Sequence, residues 1–132
     1  CTPNVYVGSI SLGANMNHAI KTLTEAEKHN GPSIIICYCP CIEHGIKGGM
    51  VNAINEEKLG VECGYTLLMR YYDDNLYLDS PEPNFDKYNE YLENEVRYKV
   101  LKIKDETLAK KLLDSQIENA KKRYEYYNKI KA

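Results

Sequence analysis

Three of the chain's five cysteines are separated from one another by single residues, at Cys37, Cys39 and Cys41. Thiolates act as nucleophiles and as ligands for zinc and iron–sulfur clusters. The spacing matches no common motif of either kind, because side chains along a strand splay apart. Pro40 cannot continue a central strand, so we expect Cys41 to be the first residue beyond the sheet. Cys41 is then either an unliganded buried thiol, which the local sequence favours, or one iron–sulfur ligand with distant partners.

A second candidate site is the loop formed by Gly13, Ala14 and Asn15, which leads from a strand into a helix. The first N–H groups of a helix lack partners within it, so this loop could face an anion. An ordinary strand-to-helix turn explains the same residues, and both interpretations stay open. Gly48 and Gly49 carry the same ambiguity. The chain contains no GxGxxG and no Walker motif, so no phosphate-binding motif supports the anion interpretation.

The histidines give weaker signals. Glu43 and His44 could supply a general base or a metal ligand, but the chain has no HExxH motif, and hydrogen bonding within the loop is favoured. His18 falls in the first turn of a predicted helix and His29 in its last turn. We predict that both lie at the surface.

The two candidate loops belong to a predicted strand–helix–strand unit. Residues 5–12 form the first strand, Asn15 caps a helix of apolar residues at helical spacing, and Asn30-Gly31-Pro32 ends it. Residues 33–39 are apolar on both faces, which is typical of a buried strand in a parallel sheet. Ligands bind beyond the carboxyl ends of parallel strands, where both loops would meet.

The remaining chain predicts a helix from residue 50 to about 63 and strands at 65–72 and 76–78, joined by a hairpin turn. An apolar stripe from Phe85 to Ile103 predicts one helix, and Asp105 caps a second long helix. Such a sheet is too small, because strand 33–39 needs neighbours on both sides. We expect the missing strands upstream of Cys1 or in another chain.

Composition excludes several classes of protein. Apolar residues make up 43% of the chain and charged residues 27%, as in ordinary globular domains. The 17 basic and 19 acidic residues give a net charge of −2, so we expect no nucleic-acid partner. Tyrosine supplies 12 of the aromatic residues without an accompanying basic stripe, which favours packing over base stacking. We expect no membrane span, a reducing cytosol-like compartment and, since the chain does not begin with Met, a fragment of something longer.

Nine segments follow in an order that resembles the C-terminal part of the pyruvate:ferredoxin (flavodoxin) oxidoreductase family. They span nearly the whole chain and lie at residues 5–7, 11–15, 25–27, 31–35, 40–46, 48–50, 61–65, 78–80 and 95–98. The Pro-Cys-Ile-Glu-His-Gly-Ile segment around Cys41 is the specific one. The strand–helix–strand pattern alone is shared by many thiamine-diphosphate domains.

The resemblance implies an α/β fold that is the C-terminal portion of a thiamine-diphosphate-binding domain, with residues 1–80 in that domain and 81–132 as its helical extension. It implies a large homodimeric enzyme that converts pyruvate and coenzyme A to acetyl-CoA and carbon dioxide. Thiamine diphosphate with Mg and 4Fe–4S clusters would pass electrons to ferredoxin or flavodoxin, in the cytoplasm or in a reducing organelle of an anaerobic eukaryote. By motif match, Cys41 is the lone C-terminal cysteine that completes the cluster nearest the thiamine.

The chain departs from the family in what it lacks. The Gly-Asp-Gly motif for Mg and diphosphate and the other cluster cysteines are absent, and residues 1–3 do not match. No catalytic residue is therefore assigned, and Gly13, Ala14 and Asn15 are the candidates for contact with the cofactor. Two functions stay open: a piece of the oxidoreductase that is inactive alone, or a non-catalytic interaction or accessory module that binds through its tyrosine-rich helices.

Overall fold

A computed structural model describes residues 4–132, so the predictions that concern Cys1 lie outside it. The chain forms four strands and five helices within this range. These are β1 Tyr6–Ile10, α1 Met16–Lys28, β2 Ser33–Cys37, α2 Ala53–Glu62, β3 Met69–Tyr72, β4 Asn75–Leu78, α3 Tyr88–Asn94, α4 Val96–Lys104 and α5 Glu106–Ile130. Short 3₁₀ turns at Met50–Asn52 and Phe85–Lys87 precede α2 and α3. No helix within residues 4–132 is both long enough and apolar enough to span a membrane.

The four strands form one mixed sheet in the order β2-β1-β3-β4. Strand β1 pairs in parallel with β2, and α1 crosses between them, which confirms the predicted strand–helix–strand unit. Strands β3 and β4 are antiparallel and confirm the predicted hairpin. Asp73 and Asp74 make its two-residue turn with φ of 49° and 60°, a left-handed conformation that aspartate tolerates.

Strand β2 differs from the prediction for residues 33–39. It ends at Cys37 and lies at the edge of the sheet, where Ile34 and Ile36 are 53% and 58% exposed. The expected burial of this strand is therefore wrong for the described chain, and Cys37 and Cys39 are exposed rather than buried thiols. Strand β2 is an edge strand, and within residues 4–132 too little packs over the face of the sheet that Ile34 and Ile36 share.

The tyrosines pack where α2, α3 and α5 meet. Tyr88 and Tyr91 are both 2% exposed and form a cluster with Cys63 and Ala120. Tyr65 lies against Tyr91 with ring centroids 4.6 Å apart, which is within the range for favourable aromatic pairs. These contacts agree with the predicted packing role of the tyrosines. The domain division at residue 80 stays a prediction.

The predicted single helix from Phe85 to Ile103 is wrong. The chain is helical on both sides of Glu95, but Glu95 itself is extended, with φ −81° and ψ 118°. Its backbone forms an isolated antiparallel bridge with Ile46. This tertiary pairing breaks the helix although the apolar stripe continues through it, because a stripe reports burial and not backbone continuity. Asp105 does cap α5 as predicted, accepting a hydrogen bond from the N–H of Leu108.

His18 corrects a further prediction, since it is 9% exposed and not a surface residue. Its Nε2 lies 2.9 Å from a carboxylate oxygen of Asp79, just after β4. Arg70 of β3, 5% exposed, donates to the same carboxylate and also to Glu25 of α1. Tyr6 donates to Glu25 as well. This charged network attaches α1 to the hairpin across the sheet.

The network predicts a stability loss in acid. Burial alone would raise the pKa of Asp79, but hydrogen bonds from Arg70 and His18 outweigh it and hold that pKa below its ordinary value. The pKa of Glu25 is likewise lowered, against its burial, by hydrogen bonds from Arg70 and Tyr6. Unfolded carboxyl groups have pKa values of about 4, so the folded state binds fewer protons in this range. The stabilisation that these two carboxylates provide is therefore complete above about pH 5, and it is lost as the pH drops through their folded pKa values.

We expect Asp79→Asn to lower the free energy of unfolding by roughly 2–4 kcal/mol at pH 7, because it leaves Arg70 incompletely paired in a buried position. The exposed Asp114→Asn is the matched control and should change it by less than about 0.5 kcal/mol. Urea unfolding followed by circular dichroism at pH 7 and pH 3 measures both. A pH dependence equal in the Asp79→Asn variant and the wild type would contradict this account.

Candidate functional site

The parallel pairing of β1 and β2 brings the two candidate loops to the same edge of the sheet. Residues 11–15 follow the carboxyl end of β1, and residues 38–49 follow that of β2. The N–H of Tyr38 donates to the carbonyl of Ile10 at 2.9 Å, so the strands stay paired to the point where both loops begin. The expected common edge is therefore present.

Cys41 is exposed in the second loop, where its carbonyl accepts a hydrogen bond from the N–H of Gly45 at 3.0 Å. Cys37 and Cys39 are also exposed. Partial burial and the nearby Cys39 raise the pKa of Cys37, which disfavours the thiolate form that metals require. Within residues 4–132 no three His, Cys, Asp or Glu side chains come together to hold a metal ion. Cys41 could thus contribute one ligand to a site whose other ligands lie elsewhere.

The loop that carries Cys41 is fastened at its far end to the junction between α3 and α4. Ile46 is 5% exposed and bridges to Glu95. On either side of this bridge, the N–H of Lys47 donates to the carbonyl of Asn94 at 2.8 Å, and that of Val96 donates to the carbonyl of Gly45 at 3.4 Å. Sequence analysis assigned no role to Asn94 or Glu95. The one feature that could have indicated them is the segment at residues 95–98, which matches the family and begins inside the predicted helix.

Gly13 in the first loop already donates to an anion, which is a carboxylate of this chain. Its N–H and the hydroxyl of Ser11 each lie 2.7 Å from Oε2 of Glu57, a residue of α2 that is 8% exposed. A diphosphate at the Gly13 N–H would therefore meet a carboxylate of the same sign. Sequence analysis did not identify Glu57. The one feature that could have indicated it is its position as an acidic residue on the buried side of a short helix.

Asn15 caps α1, as predicted, by accepting a hydrogen bond from the N–H of His18 at 2.9 Å. Its side-chain oxygen is therefore engaged in local structure. Ala14 is half-buried between the two residues. A cofactor-binding role of Gly13, Ala14 and Asn15 stays a prediction. In the other loop Glu43 is exposed and His44 half-buried, and within the described residues neither belongs to a group of three potential metal ligands.

Curated proteins resemble the chain over half to nearly all of its length. Pyruvate-flavodoxin oxidoreductase of Klebsiella pneumoniae is 36% identical over 134 residues, an alignment that covers 96% of this chain and 11% of that protein. Pyruvate:ferredoxin oxidoreductase of Moorella thermoacetica is 38% identical over 133 residues, with the same two coverages of 96% and 11%. Pyruvate dehydrogenase [NADP(+)] of Cryptosporidium parvum is 51% identical over 69 residues, which are 52% of this chain and 4% of that protein.

The chain thus spans about 11% of the length of the first two relatives. No family model matches it.

The tight contact between Gly13 and Glu57 generates a prediction. A Cβ added at Gly13 would lie 2.8 Å from Oε2 of Glu57 and 3.2 Å from Cα of Ile54. We expect Gly13→Ala to lower the free energy of unfolding by about 1–3 kcal/mol, because the carboxylate must move away from its two donors. Thermal or urea unfolding measures the change.

The double variant Gly13→Ala/Glu57→Ala provides the control for the cause of this loss. The obstructing carboxylate is gone in it, so the added methyl group should cost less than in the wild-type background. Strictly additive effects of the two substitutions would show that the carboxylate is not what restricts residue 13.

Proposed function

We propose that this chain, a homologue of one segment of the pyruvate:flavodoxin and pyruvate:ferredoxin oxidoreductases, supplies scaffold and a single iron–sulfur ligand to an enzyme of that type. The enzyme would decarboxylate pyruvate oxidatively with coenzyme A to acetyl-CoA and carbon dioxide. The observation that carries the proposal is the identity of 36–38% across 96% of the chain. On this proposal the 132 residues have no oxidoreductase activity alone.

Cys41 is the residue proposed to contact the cluster. It is exposed, lies at the carboxyl edge of the parallel strands and has Pro40 before it. Since no group of three potential ligands forms within residues 4–132, the other three thiolates of a 4Fe–4S cluster would come from outside this range. Such a cluster supplies one-electron transfer when bound. The contribution of this chain is to hold the thiolate of Cys41 at a fixed position beside the sheet.

The first loop fits a diphosphate poorly, because the Gly13 N–H already donates to the carboxylate of Glu57. The side-chain oxygen of Asn15 caps α1 by accepting from the N–H of His18. We therefore assign the binding of thiamine diphosphate and Mg mainly to residues outside this chain, as the absent Gly-Asp-Gly motif also suggests. Residues 11–15 would then act as a wall of the site at most.

The partners and the compartment follow from the same proposal. The rest of the oxidoreductase would cover the open edge at β2, where Ile34 and Ile36 are exposed. The complete enzyme would be a homodimer that reduces ferredoxin or flavodoxin. Three exposed, unpaired thiols at residues 37, 39 and 41 favour a reducing compartment, either the cytoplasm or a reducing organelle.

A non-catalytic interaction module is the second candidate. The same exposed apolar side chains favour it, because uncovered apolar surface also marks contact sites with other proteins. The two candidates differ in the role of Cys41, which an interaction module has no need to keep as a thiolate.

Substitution of Cys41 in the intact protein that carries these residues tests the proposal. We expect Cys41→Ala to lose the iron of one cluster and to lower acetyl-CoA formation at least roughly tenfold, since alanine provides no ligand. Cys37→Ala and Cys39→Ala are the matched controls. Both residues are exposed, so these variants should keep their iron and change the free energy of unfolding by less than about 0.5 kcal/mol.

Iron analysis and electron paramagnetic resonance of the three variants distinguish the outcomes. A full cluster content in Cys41→Ala would overturn the assignment of the ligand. Loss of a cluster in Cys39→Ala alone would move the ligand to that position. Full iron content and full acetyl-CoA formation in all three variants would leave Cys41 without a role in the enzyme.

A further inference from the structure

Glu56 is a buried carboxyl group that no part of the proposed chemistry uses. It is 3% exposed and lies in the first turn of α2, facing the junction between α3 and α4. Its Oε2 accepts a hydrogen bond from Nδ2 of Asn94 at 3.0 Å. Its Oε1 is buried and receives no donor from the described residues. A buried carboxylate oxygen without a donor destabilises the folded state, and protonation of the carboxyl group reduces this cost.

Glu95 is an acidic neighbour of this carboxyl group. Burial first, then hydrogen bonding with Glu95 and the charges of Glu95 and Glu90, raise the pKa of Glu56 to about 8, although the bond from Asn94 opposes the shift. Glu56 is therefore protonated at neutral pH, which removes the repulsion between adjacent carboxylates.

Other charged groups face the same space. Helices α2 and α3 and the preceding loop line an open pocket of about 510 Å³ beside Glu56, which also borders Lys47, Lys58, Glu62, Lys87 and Glu90. Lys87 is paired with Glu62 at 2.7 Å. These three lysines and two glutamates nearly balance in charge, so the charge of Glu56 decides whether like charges meet at the buried end of the pocket.

Asn94 connects this pair to the loop that carries Cys41. Its side chain donates to Glu56, while its own carbonyl accepts the N–H of Lys47. The next residue, Glu95, makes the backbone bridge to Ile46. Asn94 therefore binds the buried carboxyl group through its side chain, and Asn94 and Glu95 bind the Cys41 loop through their backbones.

We propose that Glu56 and Asn94 are positioning residues: their hydrogen bond holds the α3–α4 junction and thereby fixes residues 45–47 and Cys41 ahead of them. We call this arrangement of Glu56 and Asn94 the clamp. Its importance for a cluster ligand rests on the proposed function, whereas its restraint on loop 40–48 is independent of that function.

Hydrogen–deuterium exchange of the intact protein tests the restraint directly. We expect Glu56→Ala and Asn94→Ala to speed exchange in peptides covering residues 40–48 by about tenfold, because each leaves the other member of the hydrogen bond unpaired. Glu56→Gln should stay within about twofold of the wild type, because its amide oxygen can still accept from Asn94. Glu62→Ala, on the same helix and the same cavity but exposed, is the matched control and should leave the loop unchanged.

The pH dependence of loop exchange separates a titrating carboxyl group from a contact that does not titrate. Between pH 7 and pH 9, loop exchange in the wild type should rise relative to that of amides in the middle of α5, since Glu56 then loses its proton beside Glu95. This relative rise should be absent in Glu56→Gln. Normalising to α5 removes the intrinsic base catalysis of exchange and any global loss of stability. If Glu56→Ala does not fold, the wild-type and Glu56→Gln pH series still decide.

The outcomes separate this proposal from the assignment of Cys41. Unchanged loop exchange in Glu56→Ala and Asn94→Ala, or an equal pH dependence in Glu56→Gln and wild type, overturns the clamp. Faster loop exchange in those variants supports it, even if Cys41→Ala retains every cluster. An altered cluster signal in Glu56→Ala that Glu56→Gln restores would support both proposals together.

Discussion

The parallel pairing of β1 with β2 is the constraint on which the candidate site depends. Parallel strands end at the same edge of a sheet, so the loops after Ile10 and Cys37 must emerge side by side. Helix α1 makes the crossover, and the charged network of Arg70 keeps it attached to the hairpin on the other side of β1. Every functional inference about these two loops begins with that geometry.

Helix α2 holds both loops in place through adjacent acidic residues. Glu57 accepts hydrogen bonds from Ser11 and Gly13 in the first loop. Glu56 holds Asn94, whose backbone in turn binds the second loop at Lys47. Successive residues of a helix point about 100° apart, so one short helix can serve two separate loops. Both carboxyl groups are buried, so each depends on the hydrogen-bond donors that the neighbouring loops supply.

The uncovered edge at β2 is consistent with a chain that spans only about 11% of its relatives. Apolar side chains at Ile34 and Ile36 remain more than half exposed because the described residues cover this face of the sheet only in part. The tyrosine cluster of α2, α3 and α5, in contrast, is closed within this range. One side of the molecule is thus complete in itself, whereas the other offers a surface for further strands or another protein.

Local patterns in the sequence were sufficient for the elements whose cause is local. Asn15 and Asp105 cap their helices through their own side chains, and the turn at Asp73–Asp74 follows from residues that tolerate positive φ. The resemblance to the family also came from the sequence, because nine segments match in order without any knowledge of the fold, and Cys41 lies in the Pro-Cys-Ile-Glu-His-Gly-Ile segment among them.

The tertiary structure decided everything that depends on a distant partner. Glu95 interrupts the helix beneath a continuous apolar stripe because Ile46, far away in the chain, pairs with its backbone. His18 is buried because Asp79 lies opposite it, and β2 is an edge strand because strand order is not encoded in the strand itself. Glu56 and Glu57 are identical residues at adjacent positions, and only the packing of α2 determines that Glu57 binds the first loop and Glu56 binds Asn94 beside the second. Periodicity reports which face of an element is buried, but the identity of its neighbour is a property of the whole fold.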